Sequence, residues 1–263
     1  MNLNFKDKTV LITAGSKGIG LALANKFLNL QANVCICSRN IKNLNKASKK
    51  LLKNNDKNKL LILRHDISNL NNQSFLIKKI KKKFNTNVDI LINNSGGPKS
   101  SKIENLNLKD WKSSINSNLL SAISLSKAVL KEMKKKGWGR IINMTSTTAK
   151  EPAINMGLSN VTRAALTSFS KTLSLEVADK GITVNTILTG GCLTDRLISL
   201  VKTNSNKNDF KKNLKNIINQ TPMKKIAEPN EFIQLIIFLA SEYSSYINGT
   251  AIAIDGGSSK SIF

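Results

Sequence analysis

The sequence predicts an α/β fold: one doubly wound parallel sheet of about seven strands, in the order 3-2-1-4-5-6-7, flanked by helices. Three observations carry this. Short apolar runs recur without polar alternation, as strands buried on both faces require. Helical patterns separate them, as crossovers between parallel strands require. A glycine-rich turn joins the first run to the first helix.

The strand runs are Thr9–Thr13, Asn33–Ser38, Leu60–His65, Ile90–Asn93, Ile141–Met144, Thr183–Leu188 and Ala251–Ile254. Apolar residues at helical spacing mark helices over Ile19–Leu30, Trp111–Met133, Val161–Val177 and Glu231–Ala240. The last follows Glu228-Pro229-Asn230, a helix-start signal. The polar stretch Asn204–Asn213 reads as an exposed insertion suited to a lid. No repeat or linker interrupts the alternation, so residues 1–263 are expected to form a single domain.

Hydrophobic residues make up 40% of the chain, enough for a substantial core. No stretch reaches the roughly 18 uninterrupted apolar residues of a membrane helix, so no membrane insertion is expected. The start, Met1-Asn-Leu-Asn-Phe-Lys-Asp-Lys8, has no apolar run followed by a cleavage site; a cytoplasmic location is expected. Cys35 and Cys37 alternate in one apolar run and therefore share a strand face. The third cysteine is Cys192 and the one histidine is His65, so buried reduced thiols are expected, and no metal site.

The 41 basic and 16 acidic residues leave a net charge of +25. Such a charge suits a polyanion partner. Asn is nearly as abundant as Lys, however, and Arg is scarce. Compositional bias explains Asn and Lys together, whereas nucleic-acid binding explains only Lys. No specific nucleic-acid partner is expected.

The turn Thr13-Ala-Gly15-Ser16-Lys17-Gly18-Ile19-Gly20 follows a strand and opens a helix, the Rossmann-type arrangement for a dinucleotide. Gly15 suits the tight turn, Gly18 the close approach of a pyrophosphate, and Gly20 close packing of helix on sheet. The helix N-terminus offers free N–H groups to the anion. The second strand ends at Ser38-Arg39, where NAD-specific folds place an acid for the ribose hydroxyls. Ser38, Arg39 and nearby Lys17 suit a 2′-phosphate instead, so NADP is expected over NAD. Asp66 and Ile67 end the third strand, where Asp66 suits either an adenine amino group or a helix cap. Asn94, Ser95 and Gly96 follow the fourth, with glycines that let a cofactor lie against the backbone.

Further motifs are Gly139-Arg140-Ile-Ile-Asn-Met-Thr-Ser146, Val184-Asn185-Thr-Ile-Leu-Thr-Gly190, Phe238-Leu-Ala-Ser241, Tyr246-Ile-Asn-Gly249 and Ile254-Asp-Gly-Gly257. In this order the set resembles the short-chain dehydrogenase/reductase family over nearly the whole chain. It is most similar to the family's NADP-dependent 3-oxoacyl-[acyl-carrier-protein] reductase branch. The resemblance implies that Asn118 keeps a water for a proton relay and that Ser146 binds the substrate oxygen. It implies that Thr194, beside Gly190, contacts the cofactor, and that the segment 194–221 covers a small-molecule or carrier-linked substrate. It also implies a homotetramer, paired through the helices Trp111–Met133 and Val161–Ala178.

The family's proton donor is a Tyr with a Lys four residues on, and that motif is absent. In Leu158-Ser159-Asn160-Val161-Thr162-Arg163, Ser159 stands at the Tyr position and Arg163 at the Lys position. Ser159 follows Ser146 at the family's Ser-to-Tyr spacing, so no gap intervenes. Both residues lie on one helix face. A serine is a far weaker acid than a phenol of pKa near 10. Arg163 keeps the positive charge but stays protonated. Tyr243 and Tyr246 precede the last strand, and Lys150 and Cys192 are weak substitutes. Thr189 stands where the family has Pro and is expected to loosen the turn before Gly190.

Three readings compete. The first is an NADP-dependent oxidoreductase acting on a carbonyl or alcohol, 3-oxoacyl substrates included, with Asn118, Ser146, Ser159 and Arg163 as its catalytic set. The second is a catalytically weak dinucleotide-binding homologue with a regulatory or scaffolding role. The third is a polyanion-binding protein. The intact glycine loop with Asn118 and Ser146 favours the first.

Overall fold

A computed structural model describes residues 3–203 and 210–262. Its strands are β1 (Thr9–Ile12), β2 (Asn33–Ser38), β3 (Leu60–Arg64), β4 (Ile90–Asn93), β5 (Gly139–Ser146), β6 (Ile182–Thr189) and β7 (Ala251–Ile254). All pair in parallel, in the expected order β3-β2-β1-β4-β5-β6-β7. The helices are α1 (Gly18–Asn29), α2 (Ile41–Leu51), α3 (Gln73–Phe84), α4 (Leu108–Ile115), α5 (Ser121–Lys136), α6 (Gly157–Val177), α7 (Asp195–Thr203), α8 (Phe210–Gln220) and α9 (Pro229–Leu239).

Successive strand residues face opposite layers. Val10, Ile12, Val34 and Ile36 pack with Leu23, Phe27, Leu44 and Ile236 from α1, α2 and α9. Leu11, Cys35, Cys37 and Leu91 pack with Leu76, Ile80, Leu125 and Leu173 from α3, α5 and α6. Covering both faces is what lets the strands read as uninterrupted apolar runs. Cys35 and Cys37 are buried on the same face and free of disulfides.

Several helices depart from the sequence expectation. The lysine-rich helices α2 and α3 are each held down by a narrow stripe: Leu44, Ala47 and Leu51 on α2, Leu76 and Ile80 on α3. The expected helix Trp111–Met133 is α4, a π-turn over Asn116–Leu120, and α5. It starts earlier, at Leu108, because Asn107 and Asp110 form a capping box. Helix α6 likewise starts at Gly157, which brings Ser159 into its first turn. Residues 204–209 of the expected insertion lie outside the described residues. From Phe210 the chain is helical, on the spacing of Phe210, Leu214, Ile217 and Ile218.

Parallel strands bring all their carboxyl ends to one edge, where buried polar groups join the elements. Asn93 Nδ2 donates to Asn143 Oδ1 (2.8 Å) across β4 and β5, and to Ser126 Oγ (3.2 Å) on α5. Asn143 Nδ2 donates to Ser170 Oγ on α6 (2.7 Å). Thr13 Oγ1 accepts from the Asn94 amide (2.9 Å) and donates to its carbonyl (2.5 Å), tying β1 to the loop after β4. Thr189 does not loosen its turn. Its hydroxyl donates to the Thr145 carbonyl (2.7 Å) and holds the end of β6 against β5.

Asn143→Ala removes two buried hydrogen bonds, and a loss of about 2–3 kcal/mol in urea unfolding is expected. A change below about 0.5 kcal/mol would refute the joining role of this amide.

Candidate active site

A cavity of about 680 Å³ opens at the carboxyl edge. All the sequence-predicted site residues line it except Gly15 and Gly20, which support it from behind. The loop after β1 is held tightly. The Gly15 amide donates to the Cys37 carbonyl (3.2 Å). A Cβ on Gly15 would lie 2.7 Å from Ile36 Cγ2, so only glycine fits against β2. The left-handed backbone falls on Gly18 (φ 53°) and on Ala14 (φ 46°), not on Gly15. Gly15 therefore serves close approach, and Gly18 supplies the turn.

No side chain caps the N-terminus of α1, and Ser16, Lys17, Gly18 and Ile19 line the cavity there. Unpartnered helix N–H groups facing a cavity suit an anion. Lys17 Nζ pairs with Asp195 at the start of α7 (2.9 Å), both side chains exposed. That bridge links two walls of the cavity and stabilises by about 0–1 kcal/mol.

At one end lie Ser38, Arg39, Asp66 and Ile67. Arg39 is exposed and makes no ion pair among the described residues. The Asp66 carboxylate accepts from the Ser68 amide (3.0 Å) and hydroxyl (2.8 Å), closing a local turn. Buried His65 meets Gln73 Oε1 (3.1 Å), and Gln73 Nε2 donates to the Ile67 carbonyl (2.8 Å). The single histidine is thus part of the wall's support.

At the other end a hydroxyl cluster meets a guanidinium. Ser146 Oγ accepts from the Thr148 amide (3.2 Å), and Thr148 Oγ1 lies 3.2 Å from Ser159 Oγ. Arg163, buried, donates to the Met144 carbonyl (2.8 Å). Burial first, and the charge of Arg196 second, push its guanidinium down to about 10, still a cation at neutral pH. Asn118 Nδ2 donates to the Ser114 carbonyl (3.2 Å) and Ser117 Oγ (2.9 Å), and Oδ1 accepts from Ser95 Oγ (2.9 Å). Both amide donors are occupied, so the side chain of Asn118 fixes Ser95 rather than presenting an N–H to a water.

Tyr243 and Tyr246 are exposed and lie outside the cavity, as does Lys150. Cys192 lines it, but burial and the charges of Glu228 and Glu231 push its thiol up to about 12. Thr148 and Arg196 went unnoticed in the sequence. Neither belongs to a spacing pattern; the fold sets Arg196 in the wall and Thr148 against Ser159. Among the described residues, no cluster of three or more His, Cys, Asp or Glu could hold a metal, and no helix is long and apolar enough to cross a membrane.

The sequence profile described as short chain dehydrogenase matches residues 8–205. The chain belongs to the short-chain dehydrogenase family. Over almost its whole length this short-chain dehydrogenase is similar to reductases. It is 33% identical to the NADPH-dependent reductase BacG of Bacillus subtilis over 257 residues, 97% of this chain and 99% of that one. It is 33% identical to the 3-oxoacyl-[acyl-carrier-protein] reductase FabG of Buchnera aphidicola subsp. Schizaphis graminum, covering 97% and 98%. The crystal structure of L-sorbose reductase from Gluconobacter frateurii, complexed with NADPH and L-sorbose, superposes with a TM-score of 0.93 at 30% identity over all of both chains.

The buried thiols of this short-chain dehydrogenase set a test. Burial raises Cys35, Cys37 and Cys192 well above neutrality, and thiolate is the reactive form. Native protein at pH 8 is expected to react with an aromatic disulfide reagent ~100-fold more slowly than guanidine-unfolded protein. A fast-reacting native thiol would refute this.

Proposed function

We propose that the chain is an NADP(H)-dependent oxidoreductase that transfers hydride between the nicotinamide and a carbonyl or alcohol substrate, 3-oxoacyl compounds being the first class to test. One observation carries this reading. The uncapped N-terminus of α1 opens into a cavity with Arg39 at one end and the Ser146–Thr148–Ser159 cluster at the other. The similarity to reductases, one of them named as NADPH-dependent and another complexed with NADPH, supports it.

The residues present fit this cofactor. The amides of Ser16, Gly18 and Ile19 suit the pyrophosphate, and Gly15 and Gly20 shape the loop that presents them. Ser38, Arg39 and Lys17 suit the 2′-phosphate, and β2 ends in Ser38-Arg39 without the acid that favours NAD at that position. Asp66 and Ile67 would flank the adenine. Asn94, Ser95, Gly96 and Arg163 would line the nicotinamide ribose, with Gly190 and Thr194 also on the cavity wall.

When bound, NADPH supplies the hydride. The substrate oxygen accepts hydrogen bonds from Ser146 and Ser159, and Arg163 stabilises the negative charge that develops on it. Ser159 passes its proton to that oxygen and regains one through Thr148 from solvent. Serine is too weak an acid to ionise first, so proton transfer follows the charge rather than leading it. Asn118 holds Ser95 in the wall.

In this reading the chain represents a divergent branch of the family that works without Tyr-x-x-x-Lys. Residues 1–263 act as one domain in the cytoplasm, and the segment 194–221 covers the substrate. The exposed apolar side chains Leu108, Val161 and Leu175, on α4 and α6, support a homotetramer. Light scattering is expected to give four subunits, and a monomer would overturn that part.

Two further experiments bear on the chemistry. Arg39→Ala is expected to weaken NADPH binding at least ~10-fold while leaving NADH within about twofold, read by nicotinamide fluorescence. Equal losses for both would remove Arg39 from the 2′-phosphate site. Ser146→Ala is expected to lower kcat ~10²-fold for any carbonyl that the protein reduces with NADPH. If a broad carbonyl panel is not reduced at all, hydride transfer to a carbonyl is the wrong reading.

A further inference from the structure

The cavity carries more positive charge than its own carboxylates balance. Its acids are Asp66, Asp110 and Asp195. Each is engaged: Asp66 with Ser68, Asp110 with Lys99 (3.2 Å) and the cap of α4, and Asp195 with Lys17 (2.9 Å). Arg163 and Arg196 line the same cavity, and neither forms an ion pair among the described residues.

Their placement is specific. Arg163 comes from α6 and is anchored by one hydrogen bond to the Met144 carbonyl. Arg196 comes from α7 on the other wall. Its NH2 donates to the Pro98 carbonyl (2.5 Å), and its guanidinium lies against Gly97, where a Cβ would come within 2.6 Å of Nε. Each guanidinium carries five N–H donors, and each has one engaged by protein in the hydrogen bonds above. The two are close enough that the charge of Arg196 lowers the pKa of Arg163, and burial lowers both. Two partly desolvated like charges, facing one space without a counter-ion, are unfavourable unless an anion joins them.

We propose that Arg196, together with Arg163, receives an anionic group of the substrate, a carboxylate, so that the enzyme acts on carboxylate-bearing carbonyl compounds. Arg196 is a specificity residue that reaches in from the covering segment. The pyrophosphate of the cofactor is the other source of negative charge, and the geometry disfavours it. The glycine loop is met by Thr194, whose Cγ2 would lie 3.1 Å from a Cβ on Gly18, whereas Arg196 sits on the loop after β4. A guanidinium fork also suits a carboxylate in two-point contact.

This inference rests on the oxidoreductase reading, and its test separates the two. Calorimetry on the protein saturated with NADP measures binding of acetate, benzoate and benzoylformate against their methyl esters. At least one acid is expected to bind ~10-fold or more tightly than its ester. Arg196→Gln is expected to abolish that preference while leaving NADPH affinity within about twofold. Arg196→Lys is expected to retain part of it. If no acid binds better than its ester, the proposal is overturned, without any variant having to fold. It is also overturned if Arg196→Gln keeps the preference, or if it weakens NADPH ~10-fold and spares the acids, which would assign Arg196 to the pyrophosphate. Should NADPH itself not bind, the cofactor reading falls, and the comparison of acids with esters on the free protein still decides the role of Arg196.

Discussion

Buried amides at the carboxyl edge hold the working end of this molecule together. Asn143 accepts from Asn93 on the neighbouring strand and donates to Ser170 on α6, while Asn93 also reaches Ser126 on α5. Two strands and two helices are thereby fixed relative to one another by directional contacts. Apolar packing alone is tolerant of small sliding motions, because it rewards area rather than angle. Hydrogen bonds between fully buried groups are not, since a slipped partner leaves an unsatisfied amide. Ser146, Ser159, Asn118 and Ser95 all lie a short way beyond these contacts, so their spacing inherits that rigidity.

The same edge explains which parts of the fold were legible in the sequence. Strands buried on both faces leave an apolar run, and the glycine loop leaves a spacing that close packing against Ile36 and the turn at Gly18 enforce. Both are local signals. The bounds of α2 and α3 are hard to read because long lysine side chains cover their outer faces, leaving only narrow stripes for the core. The spacing of Ser159 and Arg163 places both on α6, but its first residue carries no signal, because Met156 and Gly157 offer no cap. Thr148 and Arg196 could not be read at all. Thr148 matters through a helix that begins after the next loop, and Arg196 through a loop nearly a hundred residues away.

In the proposed reading, Ser159 and Arg163 take the places of the family's Tyr and Lys, and the folded chain suits that exchange. A serine in the first turn of α6 is smaller than a phenol, and its hydroxyl meets Thr148 instead of standing alone. The longer Arg163 keeps a positive charge at the same wall while bonding the backbone of β5. In that reading the site retains its field and gives up its strong proton donor. The reactions that the proposed site suits are those where charge stabilisation, more than early proton transfer, lowers the barrier.

The π-turn at Asn116–Leu120 has a consequence for how this wall tolerates change in length. It accommodates one more residue than an α-helical turn, and each residue of an α-helix advances the azimuth by about 100°. Helices α4 and α5 are therefore out of phase with each other by that angle. A single-residue deletion here would restore a continuous α-helix and rotate one end against the other. Either the core contacts of Leu125 and Val129 or the link from Asn118 to Ser95 would then be lost. The extra residue works like an offset gear tooth: it lets one long helix mesh with the core along one bearing and with the cavity along another.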